Sequence, residues 1–115
     1  MTPLIDQPKW NEAGLVPVVV QDIDSKAVLM LAWANAEALS ATIATGQGTY
    51  WSRSRRQLWI KGATSGHWQH VVKVSLDCDN DAVLYQVHQI GPACHTGAIS
   101  CFDAGEQIYP KETPR

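Results

Sequence analysis

Apolar residues in this chain come in short runs divided by polar turns, and the runs take a helical spacing only once. Leu15 to Val20 is a valine-rich run with Pro17 near its start. It predicts a short strand whose first residues lie at a sheet edge, where a missing N–H breaks no ladder. Asp22 to Ser25 supplies a turn, and Ala27 to Trp33 is again apolar and unbroken, the pattern of a strand buried on both faces. Asn35 then offers a side-chain oxygen as an N-cap, and Leu39 and Ile43 form one apolar stripe. Glu37 suits the positive end of a helix dipole and Gly46 suits a left-handed terminating residue, so a helix is expected from about Asn35 to Thr45.

From Gly48 onward the pattern is β. Thr49 to Ser52 and Leu58 to Lys61 read as a hairpin turning through Arg53 to Gln57. Trp68 to Leu76 and Ala82 to Ile90 read as two longer strands, joined by Asp77-Cys78-Asp79-Asn80-Asp81 at a strand end or hairpin tip. After Gly91-Pro92 the chain is irregular through Cys101, and Asp103 to Arg115, with two prolines, is a peripheral tail. Together these elements predict one α+β domain over residues 1–115: a small, mostly antiparallel sheet with one main helix.

Composition narrows the function. A chain of 115 residues holds one modest core, so a bound metal or a second subunit would add useful stability. A net charge of -2 argues against a protein built to neutralise a nucleic-acid backbone. The apolar stretch Val16 to Ala34 is broken by Gln21, Asp22, Asp24, Ser25 and Lys26, so no membrane helix is expected. Met1 to Asn11 has no apolar core of a signal peptide, and a cytoplasmic location follows. Three cysteines cannot close into disulfides without one left over, and a reducing compartment disfavours disulfides altogether.

Cys78, Cys94 and Cys101 lack the close pairs of a zinc knuckle, and three buried apolar thiols would account for the spacing equally well. Their context is more telling. Cys78 lies between two aspartates and Cys94 precedes His95 after a Gly-Pro turn, while a catalytic zinc takes three protein ligands and leaves a fourth position open. Asp77, Asp79 and Asp81 alternate, so in an extended segment their carboxylates share one side. A hard divalent cation such as Mg²⁺ would relieve their repulsion, although a solvated acidic turn gives the same pattern. Ser52, Arg53 and Arg55, followed by Lys61 and the loop Thr64-Ser65-Gly66-His67, offer guanidinium forks, hydroxyls and open backbone N–H groups suited to a phosphate monoester. An ordinary charged hairpin is the competing reading there. Trp51 and Trp59 read as sheet or core residues and His88 as structural. His95, next to a candidate ligand, is the candidate acid or base.

Four ordered motifs carry a resemblance: Trp51-Ser52-Arg53-Ser54-Arg55; Leu58-Trp59-x-Lys61-Gly62-x-Thr64-Ser65-Gly66-His67; Asp77-Cys78-Asp79-x-Asp81-Ala82; and Gly91-Pro92-Ala93-Cys94-His95-Thr96-Gly97 with Ser100-Cys101-Phe102. Across about residues 16–102 the chain resembles the phosphoribosyl-AMP cyclohydrolases of histidine biosynthesis, in the form without a pyrophosphohydrolase domain. The resemblance implies Zn²⁺ on Cys78, Cys94 and Cys101, with Cys78 completing a site formed by Cys94 and Cys101 of the partner subunit. It implies Mg²⁺ on Asp77, Asp79 and Asp81, an obligate-type homodimer, and hydrolysis of phosphoribosyl-AMP at the N1–C6 bond of its adenine ring. Ser52, Arg53, Arg55, Lys61, Thr64, Ser65, Gly66 and His67 are then the substrate-binding candidates.

Overall fold

A computed structural model describes residues 7–110. Met1 to Asp6, half of the segment read for a leader, and the last five residues of the tail lie outside this range. The strands are β1 (Val16–Asp22), β2 (Val28–Ala34), β3 (Thr49–Ser52), β4 (Gln57–Ile60), β5 (Gln69–Leu76) and β6 (Val83–Gln89), with one helix, α1 (Ala36–Thr45), between β2 and β3. Asn35 caps the helix by accepting the Ala38 N–H at 2.8 Å, and Gly46 ends it at φ +75°. The predicted elements are therefore present within a residue or two of their expected ends. No helix among the described residues is long and apolar enough to cross a membrane.

Four strands form one sheet in the order β2-β1-β6-β5, and β3 and β4 form a separate hairpin. The small α+β expectation holds with one refinement: β1 and β6 run parallel, so the mainly antiparallel sheet is mixed. Two strand expectations need correction. β1 is an inner strand, not an edge. The Ile23 N–H bonds Val87, so odd residues of β1 face β6, and Pro17 precedes the first β1–β6 pair at Val18–Val83. Its absent N–H breaks no ladder bond for that reason rather than because of an edge. β2 is the edge strand, and Leu31 is half exposed, so this run is not buried on both faces.

Val16, Val18 and Val20 alternate onto the same face as Val83, Tyr85 and Val87, and all six are at most 2% exposed. Burying each such aliphatic side chain contributes roughly 1.5–3 kcal/mol relative to leaving it in water. The covering layer is α1, through Ala38 and Leu39, and β3, through Tyr50. Ile43, predicted to share the stripe with Leu39, is instead 46% exposed, because only a narrow face of this short helix meets the sheet. On the opposite sheet face, cross-strand register aligns Leu31, Val19 and Leu84 in a row, with Leu31 half exposed and the other two partly buried.

Buried polar groups lock the layers together. The Thr42 hydroxyl accepts the Thr49 N–H at 3.0 Å and the Tyr85 O–H at 3.2 Å, joining α1, β3 and β6. Tyr50 O–H donates to Gln69 Oε1, and Gln69 Nε2 lies 3.3 Å from Met30 Sδ. Burial holds the Tyr85 phenol up at about 12 and pushes that of Tyr50 well above its usual value, so both remain neutral donors.

Candidate active site

The β3–β4 hairpin turns at Arg56, which takes φ +54°, and is followed by a loop that folds back on itself. Gly62 makes that fold possible: it has φ +91°, and a Cβ there would lie 2.6 Å from the Trp68 backbone. The Gly66 N–H closes the loop onto the Gly62 carbonyl at 2.8 Å, and Ser65 Oγ accepts the His67 N–H at 3.1 Å. Hairpin and loop wall a cavity of about 950 Å³, lined by Ser52, Arg55, Lys61, Thr64 and Ser65, with His95 arriving from the loop after β6. Six of the expected substrate and acid–base residues thus meet around one space. Its lining also includes Trp59, whose ring packs on Tyr50 at 4.8 Å between centroids.

Three expected binding residues stand elsewhere. The Arg53 guanidinium lies 4.6 Å over the Trp33 ring, a cation–π contact. His67 lies against Gly91, where a Cβ would approach its ring to 2.7 Å. Gly66, at φ +79°, closes the loop without lining the cavity.

The loop from Ala93 to Cys101 brings two thiols together. Cys94 N–H bonds the Ala98 carbonyl and Ala93 N–H the Ile99 carbonyl, both at 3.1 Å, which turns the chain back so that the Cys94 and Cys101 thiols interact. The Thr96 hydroxyl donates to Cys94 Sγ at 3.1 Å and holds that thiol below its ordinary value, with Cys101 and the Lys61 charge adding to the effect. Cys94 is 7% exposed, yet this hydrogen bonding outweighs its burial. Burial pushes the Cys101 thiol up, reinforced by Cys94. Lys61 acts on both thiols and lines the cavity, so it links the two parts of the site.

Cys78 is exposed on the turn between β5 and β6, and among the described residues no cluster brings it to Cys94 and Cys101. Instead, Asp77, Asp79 and Asp81 gather their carboxylates within 4.8 Å of one another. The extended alternation expected for this segment is not what gathers them. The chain makes a tight turn, with Asn80 at φ +66° and the Asp77 Oδ1 accepting the N–H groups of Asp81 and Ala82. Hydrogen bonding to Asp79, and then to Asp77, raises the Asp81 carboxyl to about 6, while Asp79 is held below the usual carboxylate range by the same contacts. Below about pH 6 a proton on Asp81 relieves part of the repulsion among the three carboxylates. Such a donor set fits a hard divalent cation, and the thiol pair fits a softer one.

A cavity with two cations, several hydroxyls and an imidazole, beside paired thiols, defines the site of a small-molecule enzyme with metal-binding capacity. Comparison with known proteins gives the family. Residues 30–103 match the model of the phosphoribosyl-AMP cyclohydrolase family. The chain is 58% identical over 102 residues to the phosphoribosyl-AMP cyclohydrolase of Corynebacterium efficiens, covering 89% of this chain and 79% of that one. It is 57% identical over 94 residues to that of a Ruegeria species, covering 82% and 73%. A third relative, from Mycobacterium bovis, is 58% identical over 104 residues and 90% of each chain. The chain belongs to the phosphoribosyl-AMP cyclohydrolase family, whose members are hydrolases.

Proposed function

We propose that the protein hydrolyses the N1–C6 bond of the adenine ring of phosphoribosyl-AMP, as a cytoplasmic homodimer using Zn²⁺ and Mg²⁺. The observation that carries this reading is the cavity lined by Ser52, Arg55, Lys61, Thr64, Ser65 and His95, the last of which directly follows Cys94 in the loop that turns back toward Cys101. Cys94 and Cys101 of one subunit, with Cys78 of its partner, hold the zinc, and Asp77, Asp79 and Asp81 hold the magnesium. Zinc supplies Lewis acidity that makes water a competent nucleophile near neutral pH. Arg55 and Lys61, with Ser52, Thr64 and Ser65, grip phosphate and ribose oxygens and keep the ring in one orientation. His95 delivers the proton that N1 needs as the C6 bond breaks. Arg53, Gly66 and His67 act from outside the cavity by shaping its hairpin and loop.

Two features support a second subunit. Among the described residues the third thiol lies apart from the other two, and Leu31, in register with Val19 and Leu84 on the sheet face opposite the core, is half exposed. Both needs are met when a two-fold axis brings the Cys78 turn of each copy to the thiol pair of the other. A mixing experiment tests the arrangement. Cys78→Ser and Cys94→Ser proteins, each inactive and low in zinc alone, are refolded together and assayed by absorbance for ring opening. Half of the dimers are hybrids with one intact site, so activity should return to about a quarter of wild type. No recovery, with dimers exchanging normally, sinks the shared site; full activity of either variant alone sinks the zinc role.

A further inference from the structure

Cys101 is held in place although it stands in an irregular segment with no strand or helix of its own. The β1–β2 register supplies a reason. Val20 pairs with Met30 and Gln21 with Val28, so Leu29 is an extra residue in a bulge on the edge strand β2. A regular strand turns successive carbonyls to opposite sides. Here the carbonyls of both Val28 and Leu29 are taken from the same side by the segment that carries the thiol: Ser100 Oγ donates to Val28 O at 2.6 Å, and Cys101 N–H donates to Leu29 O at 2.7 Å. The Ser100 hydroxyl also accepts the Phe102 N–H at 3.0 Å, so it fixes the chain on both sides of Cys101. Ser100 is only 5% exposed, and Leu29 is 1% exposed within the main core.

We infer that Ser100, docked on the Leu29 bulge, is a positioning residue that holds the Cys101 thiol against Cys94 in readiness for the metal. The inference rests, for its functional meaning, on the thiol pair serving as metal ligands. Its geometry does not depend on that reading. A bulge next to a functional site re-aims the chain, and groups behind a ligand commonly change metal affinity by about 10- to 100-fold. The arrangement also couples the site to the fold's interior, because a shift of Leu29 moves the anchor of Cys101 directly.

Three measurements on the full chain test this. In a Cys78→Ser background, dibromobimane, which fluoresces when it bridges two thiols, should cross-link Cys94 to Cys101 several-fold more slowly once Ser100→Ala is added. Equal bridging overturns the inference. With Cys78 intact, Ser100→Ala should bind Co²⁺ at least about 10-fold more weakly, with altered thiolate-to-cobalt absorption. Unchanged affinity and spectrum in the variant overturn the inference, whereas a parent that shows no thiolate–cobalt band sinks the metal reading and leaves the bridging result to decide the positioning. In the unsubstituted protein the Cys101 amide should be protected from hydrogen exchange. Free exchange there removes the anchor even if Ser100→Ala fails to fold.

Discussion

Gly48 lies where the helix, the hairpin and the long sheet meet, and replacing it with alanine should damage the fold and the site together. A Cβ at this position would sit 2.5 Å from Gln69 Oε1, 3.0 Å from the Tyr50 hydroxyl and 3.3 Å from Gln69 Cβ. Gln69 cannot swing aside, because it is fully buried, bonded to Tyr50 and placed against Met30. Gly48→Ala therefore either breaks the Tyr50–Gln69 bond or displaces the backbone. A buried donor or acceptor left unpaired costs roughly 1–3 kcal/mol. Overpacking adds roughly 1–3 kcal/mol. Stiffening of the unfolded chain offsets roughly 0.4–1 kcal/mol. Together these give a net loss of about 1–5.6 kcal/mol, centred on about 3 kcal/mol, lowering Tm by about 10 °C for a domain of this size. The control is Gly14→Ala. Gly14 has φ +77° but nothing within 4 Å of a Cβ, so it carries only the backbone penalty of roughly 1–2 kcal/mol. Circular-dichroism melts of both variants check the difference, and a Gly48→Ala protein no less stable than Gly14→Ala refutes the packing argument. Because the Gly48 carbonyl accepts the Lys61 N–H at 2.9 Å, the folded fraction should also show a raised KM.

His95→Ala should lower kcat by about 10²- to 10⁴-fold while bound zinc stays near the parent value; an unchanged kcat across the pH profile removes the proton role. The Asp81 carboxyl, raised to about 6 from 3.8, binds its proton more tightly folded than unfolded. That contribution to stability is fully present below the unfolded value and lost as pH rises through about 6, and the proposed Mg²⁺ would compete with the same proton. Mg²⁺ should thus raise Tm more at pH 8 than at pH 5, and an equal rise at both, measured by scanning calorimetry, contradicts the assignment. Asn35→Ala, which removes the 2.8 Å cap on the Ala38 N–H, should cost about 1 kcal/mol in urea denaturation without changing KM.

The α1 boundaries were legible because they depend on local chemistry: a capping Asn35, a left-handed Gly46 and the four-residue step to a buried Leu39. The strands were legible for the same reason, through runs of valine and alternation. What periodicity does not encode is the order of strands. Nothing local in Val18 or Val83 announces that they pair in parallel across 65 residues of chain, and so the mixed character of the sheet and the inner place of β1 were not readable. Ile43 fails for a related reason, since a stripe of two residues cannot say how wide a face its helix will bury.

The site divides along the same line. Residue types gave the chemistry of Asp77, Asp79 and Asp81, but the turn that gathers them depends on Asn80 taking a left-handed conformation, which replaces the strand-like alternation by a different route to the same cluster. Arg53 shows the opposite case. Its sequence neighbours suggest a phosphate clamp, and only the three-dimensional position of Trp33 draws the guanidinium away from the cavity. Thr96 and Ser100 stood inside the recognised motifs beside Cys94 and Cys101, yet a hydroxyl has no spacing rule that marks it as a partner of a thiol. Their roles become visible only through a 3.1 Å contact to Sγ and a 2.6 Å contact to an edge carbonyl. Sequence motifs thus identify which groups can react. The bulge at Leu29 and the fold of the 93–101 loop determine where those groups stand, and a small fold supplies that precision from its core rather than from extra elements.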